Sequence, residues 1–152
     1  MSTEPLYQEI IQFAIDKEQE AIDLYSRMAA QTERASGKIL FQELADMERG
    51  HKAKLERLDR KYFESQKLKP IQDLKIADYL VDTELRPDST YQDILLFAAK
   101  REKAAFNLYN DLARVYAAVE DVKKIFEVLA QEEATHKLKL EREYDENIFK
   151  EN

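Results

Sequence analysis

The chain has 152 residues, 44% apolar and 36% charged, with two Gly, three Pro and no Trp, which fits one domain and excludes an all-β sandwich or barrel. Cysteine is absent, so disulfides, thiolate-bound zinc or iron–sulfur centres and thiol nucleophiles are excluded. The charge of −7, from 31 acidic and 24 basic residues with no clustered basic run, disfavours nucleic acid as a partner.

The first predicted helix covers residues 5–34. Ile11, Ile15, Glu18, Ile22, Tyr25 and Ala29 advance by steps of three and four, the spacing of one helix face. Ser2 or Thr3 is the expected cap, with Pro5 in the first turn. A break is expected near Ser36-Gly37, with Gly as the helix stop. The second helix covers residues 38–64, with Leu44, Glu48, His51, Leu55, Leu58 and Tyr62 in the same rhythm. Residues 66–89, bounded by Pro70 and Pro87, form a long crossover in which Leu74, Ile76, Ala77, Leu80 and Val81 suggest a short helix. The third helix covers residues 91–116, with Asp88, Ser89 or Thr90 as candidate caps, and the fourth covers residues 121–147 after a loop near 117–120.

The halves are copies of one another. Tyr7-Gln8-Glu9-Ile10-Ile11-Gln12-Phe13-Ala14 reappears as Tyr91-Gln92-Asp93-Ile94-Leu95-Leu96-Phe97-Ala98, and the same offset pairs Glu18 with Glu102 and Tyr25 with Tyr109. An offset one residue longer pairs Phe41 with Phe126, Glu48 with Glu133, His51 with His136 and Leu55 with Leu140. Two helical hairpins joined by a long crossover give the expected fold, an all-α four-helix bundle in a single domain of residues 1–152.

Both histidines follow a Glu by three positions, as Glu48-Arg49-Gly50-His51 and Glu133-Ala134-Thr135-His136. On a helix these pairs project from one face, where carboxylate and imidazole can grip one cation. All four residues interrupt apolar stripes, as do Glu18 and Glu102 on the first and third helices. Buried salt bridges alone would leave four carboxylates against at most two imidazolium groups, an excess costing several kcal/mol per poorly paired ion. Two divalent cations remove the excess. The oxygen-rich donor set with two imidazoles suits iron first, then manganese or a mixed Fe/Mn pair, and suits structural zinc, magnesium or calcium poorly.

The chain resembles the ferritin-like superfamily, and within it the rubrerythrins. The motifs that carry the resemblance span all four helices: Glu18-Gln19-Glu20-Ala21 leading to Tyr25, Glu48-x-x-His51, Glu102 leading to Tyr109, and Glu133-x-x-His136. The resemblance implies that Glu48 and Glu133 bridge two irons, that Glu18 and Glu102 are terminal ligands, and that His51 and His136 each cap one metal. It also fits Tyr25 and Tyr109 as hydrogen-bond partners of the ligand carboxylates; packing of the rings in the core is the competing expectation. Two departures stand out. Ala105 occupies the place where rubrerythrins usually carry a further Glu, so the six ligands look like the bacterioferritin set. The rubredoxin domain, which needs four Cys, is missing, so the electron donor is expected to be external, such as a separate rubredoxin-type protein.

The implied activity is that of a di-iron oxidoreductase reducing hydrogen peroxide or oxygen. The alternatives are ferroxidase or iron handling without a storage cage, and a metal-stabilised structural or partner-binding bundle. The brevity of the chain after Asn147 speaks against a ferritin cage, and a homodimer is expected, with exchange of hairpins between subunits allowed by the crossover. No segment reaches the ~18 to 20 apolar residues of a membrane span, and the N-terminus lacks signal-peptide character. A cytoplasmic protein without a membrane partner is the expectation. Glu20 and Glu132, and the cations Lys52, Lys54, Arg57, Lys137, Lys139 and Arg142, are expected on solvated faces.

Overall fold

Apolar residues recurring every three to four positions bury one stripe of each helix, and the computed structural model realises this periodicity. It describes residues 7–62, 74–81 and 84–151. Among these residues four helices form, α1 (Tyr7–Gln31), α2 (Ala35–Tyr62), α3 (Tyr91–Val115) and α4 (Glu120–Glu151), with one 3-10 turn over Ile76–Tyr79. No strand occurs among the described residues. The expected caps Ser2 and Thr3, Pro5 and the first part of the crossover, with Pro70, lie outside the described residues. The chain divides into two compact units, Met1–Asp78 and Tyr79–Asn152, each built on one helical hairpin.

In the first unit, the Tyr7 ring meets Tyr62 edge-on at 6.5 Å, Tyr25 stacks on Phe41 at 5.9 Å, and Lys52 Nζ donates to Gln19 Oε1 at 2.7 Å. Partners fall along α2 as they rise along α1, so the helices are antiparallel, as a three-residue connection requires. Ile10, Ile11, Ala14, Leu44 and Leu55 are completely buried between them, and each Leu or Ile there contributes about 1.5–3 kcal/mol.

The break between α1 and α2 falls at residues 32–34 rather than at Ser36-Gly37. Thr32 N–H closes α1 on the Met28 carbonyl, and Lys38 N–H already donates to the Arg34 carbonyl. Gly37 is therefore a buried residue of the first turn of α2. A helical Gly costs only about 1 kcal/mol relative to Ala, less than the burial of Leu40 and Phe41 just beyond it returns.

In the second unit, Thr90 proves to be the cap of α3. Its hydroxyl accepts from Asp93 N–H at 3.1 Å, and the Asp93 carboxylate accepts from Thr90 N–H at 3.0 Å, a reciprocal capping box. Tyr109 stacks on Phe126 at 6.0 Å, as Tyr25 does on Phe41. The α3–α4 connection needs no Gly: Val119 N–H donates to the Tyr116 carbonyl in a turn, and Lys123 N–H to the Val119 carbonyl as α4 begins. The short helix expected in the crossover is only the 3-10 turn. It buries Tyr79, whose hydroxyl donates to Asp111 Oδ2 at 2.6 Å, and leaves Leu80 half exposed. Among the described residues, no helix is long and apolar enough to cross a membrane.

Two surface substitutions test these local readings. Thr90→Ala removes the side-chain half of the capping box and should cost about 1 kcal/mol. Gly50 is an exposed residue within α2, and a Cβ there would meet nothing within 4 Å. Gly50→Ala should therefore stabilise by about 0.5–1 kcal/mol. Urea denaturation of metal-free protein reads both; a Gly50→Ala midpoint below that of the parent would contradict the open environment.

Candidate metal centre

A helix presents residues at i and i+3 side by side, and an antiparallel neighbour sets a third residue opposite them. In the first unit, α2 supplies Glu48 and His51 and α1 supplies Glu18. His51 Nδ1 lies 3.6 Å from Glu48 Oε1 and 3.8 Å from Glu18 Oε1. In the second unit, α4 supplies Glu133 and His136 and α3 supplies Glu102. His136 Nδ1 lies 3.6 Å from Glu102 Oε2 and 3.8 Å from Glu133 Oε1. Within each triad the nearest potential ligand atoms lie within 4.8 Å of one another.

All six side chains are buried, none more than 3% exposed. The Nδ1···O separations exceed those of ordinary N–H···O hydrogen bonds. They match the spacing of donors around a shared cation, since two atoms each about 2.1 Å from one ion stand about 3 to 4 Å apart. Two carboxylates and one imidazole per triad also leave net negative charge away from water even when the imidazole is protonated, and a divalent cation offsets it. The donor chemistry and spacing fit a metal.

The residues expected on solvated faces lie outside the two triads. Glu20 is exposed and pairs with Lys17 at 3.0 Å. Glu132 is half buried beside Glu133, while Arg57, Lys139 and Arg142 are exposed. Lys52 departs from a purely solvated role: adjacent to His51, it ties α2 to α1 through Gln19, itself next to Glu18. Its counterpart in the second copy, Lys137, instead reaches along its own helix to Glu141. Tyr25 and Tyr109 are buried, each stacked on a Phe of the neighbouring helix.

A second buried polar group lies on α4, where apolar periodicity gives no sign of it. Glu143 and Asn147 of α4 are 6% and 2% exposed, and the Tyr91 hydroxyl donates to Glu143 Oε1 at 2.8 Å. The repeat carried the signal, because its offset sets Glu143 opposite Leu58 and Asn147 opposite Tyr62.

A family model described as Rubrerythrin matches residues 9–84 and 93–151. No curated protein matches. Among solved structures, the chain is similar to a hypothetical protein from Pyrococcus furiosus, with 24% identity, a TM-score of 0.72 and coverage of 91% of this chain and 87% of that one. It is also similar to the bacterioferritin-related protein of Bacteroides fragilis, described as a dodecameric thioferritin, with 20% identity, a TM-score of 0.67 and coverage of 92% and 84%. The repeated Glu-x-x-His helices, the buried triads and the family match lead to one identification: the chain belongs to the rubrerythrin family, with an all-α, ferritin-like four-helix fold.

Proposed function

We propose that the chain works as one domain in which the two triads hold a dinuclear iron centre that reduces hydrogen peroxide or oxygen. The observation that carries this reading is the duplication of a buried Glu/Glu/His triad whose Nδ1 stands 3.6–3.8 Å from two carboxylate oxygens in both copies. As the family resemblance implies, His51 and His136 would each hold one metal, Glu48 and Glu133 would be shared between the two, and Glu18 and Glu102 would each serve one. Manganese or a mixed pair is the second choice of metal. When bound, ferrous iron supplies electrons and Lewis acidity.

The chain's own residues orient and shield the metals. The i, i+3 pairs on α2 and α4 place carboxylate and imidazole side by side on one helix face. The stacked rings of Tyr25 on Phe41 and Tyr109 on Phe126 hold both tyrosines rigid, two turns from Glu18 and Glu102, where their hydroxyls steady the ligand carboxylates. Ala21 and Ala105, three residues past Glu18 and Glu102, are small side chains that leave room for the metals or a small oxidant. Reduction of hydrogen peroxide to two waters consumes two electrons and two protons. Sustained turnover then draws electrons from an external donor, such as a rubredoxin-type protein.

A second reading is ferroxidase or iron-handling activity in a multi-subunit assembly, favoured by the likeness to the dodecameric Bacteroides fragilis protein. A homodimer, with or without exchanged hairpins, fits the peroxidase reading. Sizing of the iron-loaded protein separates a dodecamer from a dimer.

Two measurements test the centre. Four buried carboxylates repel one another until cations bind, so saturating ferrous or manganous ion at a hundred times its Kd should stabilise the fold by about 2.7 kcal/mol per site. Glu48→Gln and Glu133→Gln should raise the thermal midpoint of metal-free protein while abolishing its rise with metal, whereas Glu20→Ala should change neither. Equal metal response in all three variants would remove the ligand assignment. In stopped flow, anaerobic ferrous protein should be oxidised by hydrogen peroxide much faster than by oxygen. A preference for oxygen, with ferric iron retained in a dodecamer, would establish the iron-handling reading instead.

A further inference from the structure

The two hairpins solve the same packing problem differently at one end. In the first, Leu58 and the edge-on pair Tyr7–Tyr62 fill the space between α1 and α2. In the second, the corresponding positions are Glu143, Tyr91 and Asn147. Glu143 Oε1 accepts from the Tyr91 hydroxyl at 2.8 Å and from Asn147 Nδ2 at 3.2 Å, and Asn147 Nδ2 also donates to the Glu143 carbonyl at 2.7 Å. The apolar version shows that the fold does not require a carboxylate here. Burying one in its place is costly relative to leucine, so a role in chemistry is the better account.

That role follows from what a phenol needs in order to give up an electron. Its radical cation is so acidic that oxidation becomes accessible only when the proton can leave with the electron. Tyr91 has a buried carboxylate oxygen in line with its O–H bond, and the tyrosine itself is only half buried, open to exchange with an external reductant. Glu143 lies seven residues past His136, two turns along the same helix and about 10 Å along its axis. Electrons tunnel over such a distance without an intermediate carrier.

Resting on the dinuclear reading, we propose that Tyr91 and Glu143 form a redox-active pair that supplies an electron to the centre when the oxidant is oxygen. Reduction of oxygen to two waters takes four electrons and four protons, and a ferrous pair holds only two electrons. Tyr91 gives one more: its O–H bond breaks, the proton bonds to Glu143 Oε1, the electron goes to the oxidised centre, and a neutral phenoxyl radical remains. An external one-electron donor reduces the radical, and the proton returns from Glu143. The same donor provides the fourth electron, and the four protons that complete the two waters come from solvent.

The pair can be tested apart from the metals. In the metal-free full chain, flash photo-oxidation by a ruthenium tris-bipyridine complex should give a phenoxyl radical, seen by transient absorption and electron paramagnetic resonance, which Tyr91→Phe largely removes. Glu143→Gln should slow its formation about a hundredfold, the scale of a lost general base. Glu143→Leu, which copies Leu58, should do the same without lowering the thermal midpoint. An undiminished radical in Tyr91→Phe, or an unchanged rate in Glu143→Leu together with a lowered midpoint, would overturn the proposal and leave a structural role. In ferrous-loaded protein, oxygen should produce the radical in the parent chain and not in Tyr91→Phe. Iron oxidation without any radical overturns the proposal; failure to bind two irons per chain overturns the dinuclear reading and the oxygen step with it, while the metal-free result identifies which of the two failed.

Discussion

Burying four carboxylates and two imidazoles is the constraint on which the rest of this molecule depends. Glu18, Glu48, Glu102 and Glu133 are withdrawn from water almost completely, and a buried ion without adequate compensation costs several kcal/mol. A domain stabilised by only about 5–15 kcal/mol cannot carry four such costs through packing alone. The apolar stripes of α1 to α4 therefore enclose a set of side chains whose charge divalent cations would offset. On the dinuclear reading, the metal would belong to the folding problem as well as to the chemistry.

The hairpin is an economical means of delivering such a triad. One helix fixes a carboxylate and an imidazole at i and i+3, and a connection of three residues brings a second carboxylate from the preceding helix to the same height. Aromatic stacking one to two turns away, Tyr25 on Phe41 and Tyr109 on Phe126, locks the axial register, because a slide of either helix by one residue would separate the rings and the ligands together. Close similarity of the two triads, with Nδ1···O separations of 3.6 and 3.8 Å in both, is what duplication of a register-locked hairpin should produce.

The two buried triads were legible in the sequence because helical spacing and duplication report on the same six residues independently. Glu48 and His51 disturb an apolar stripe, and Glu133 and His136 disturb its copy in the same way. Helix ends were less legible. Gly37 looked like a stop, but the helix continues through it, since tertiary burial of Leu40 and Phe41 outweighs a local propensity of about 1 kcal/mol. In the crossover, apolar spacing pointed to Leu80, whereas the turn buries Tyr79, whose hydroxyl reaches Asp111. Such a contact joins residues far apart in sequence and leaves no periodic trace. The comparison of α2 with α4 hid Glu143 for the opposite reason: attention to positions that agree between the copies passes over those that differ.

The differences are placed systematically. Around the triads the copies agree in ligand identity and in stacked aromatic pairs, whereas two turns away the first copy has Leu58 and Tyr62 and the second has Glu143 and Asn147. A centre that binds two equivalent metals requires the first kind of agreement. Nothing in metal binding requires the second kind of difference, and packing does not require it either, since the apolar arrangement already fills the same space. Reduction of a small oxidant does introduce an asymmetry, because electrons and protons must arrive from somewhere. On the proposed reading, a hydrogen-bonded phenol and carboxylate in one copy alone would give that hairpin a means of moving both, while the other copy keeps the apolar packing. On that reading, duplication supplied symmetry where the metals would use it, and divergence an added source of one electron.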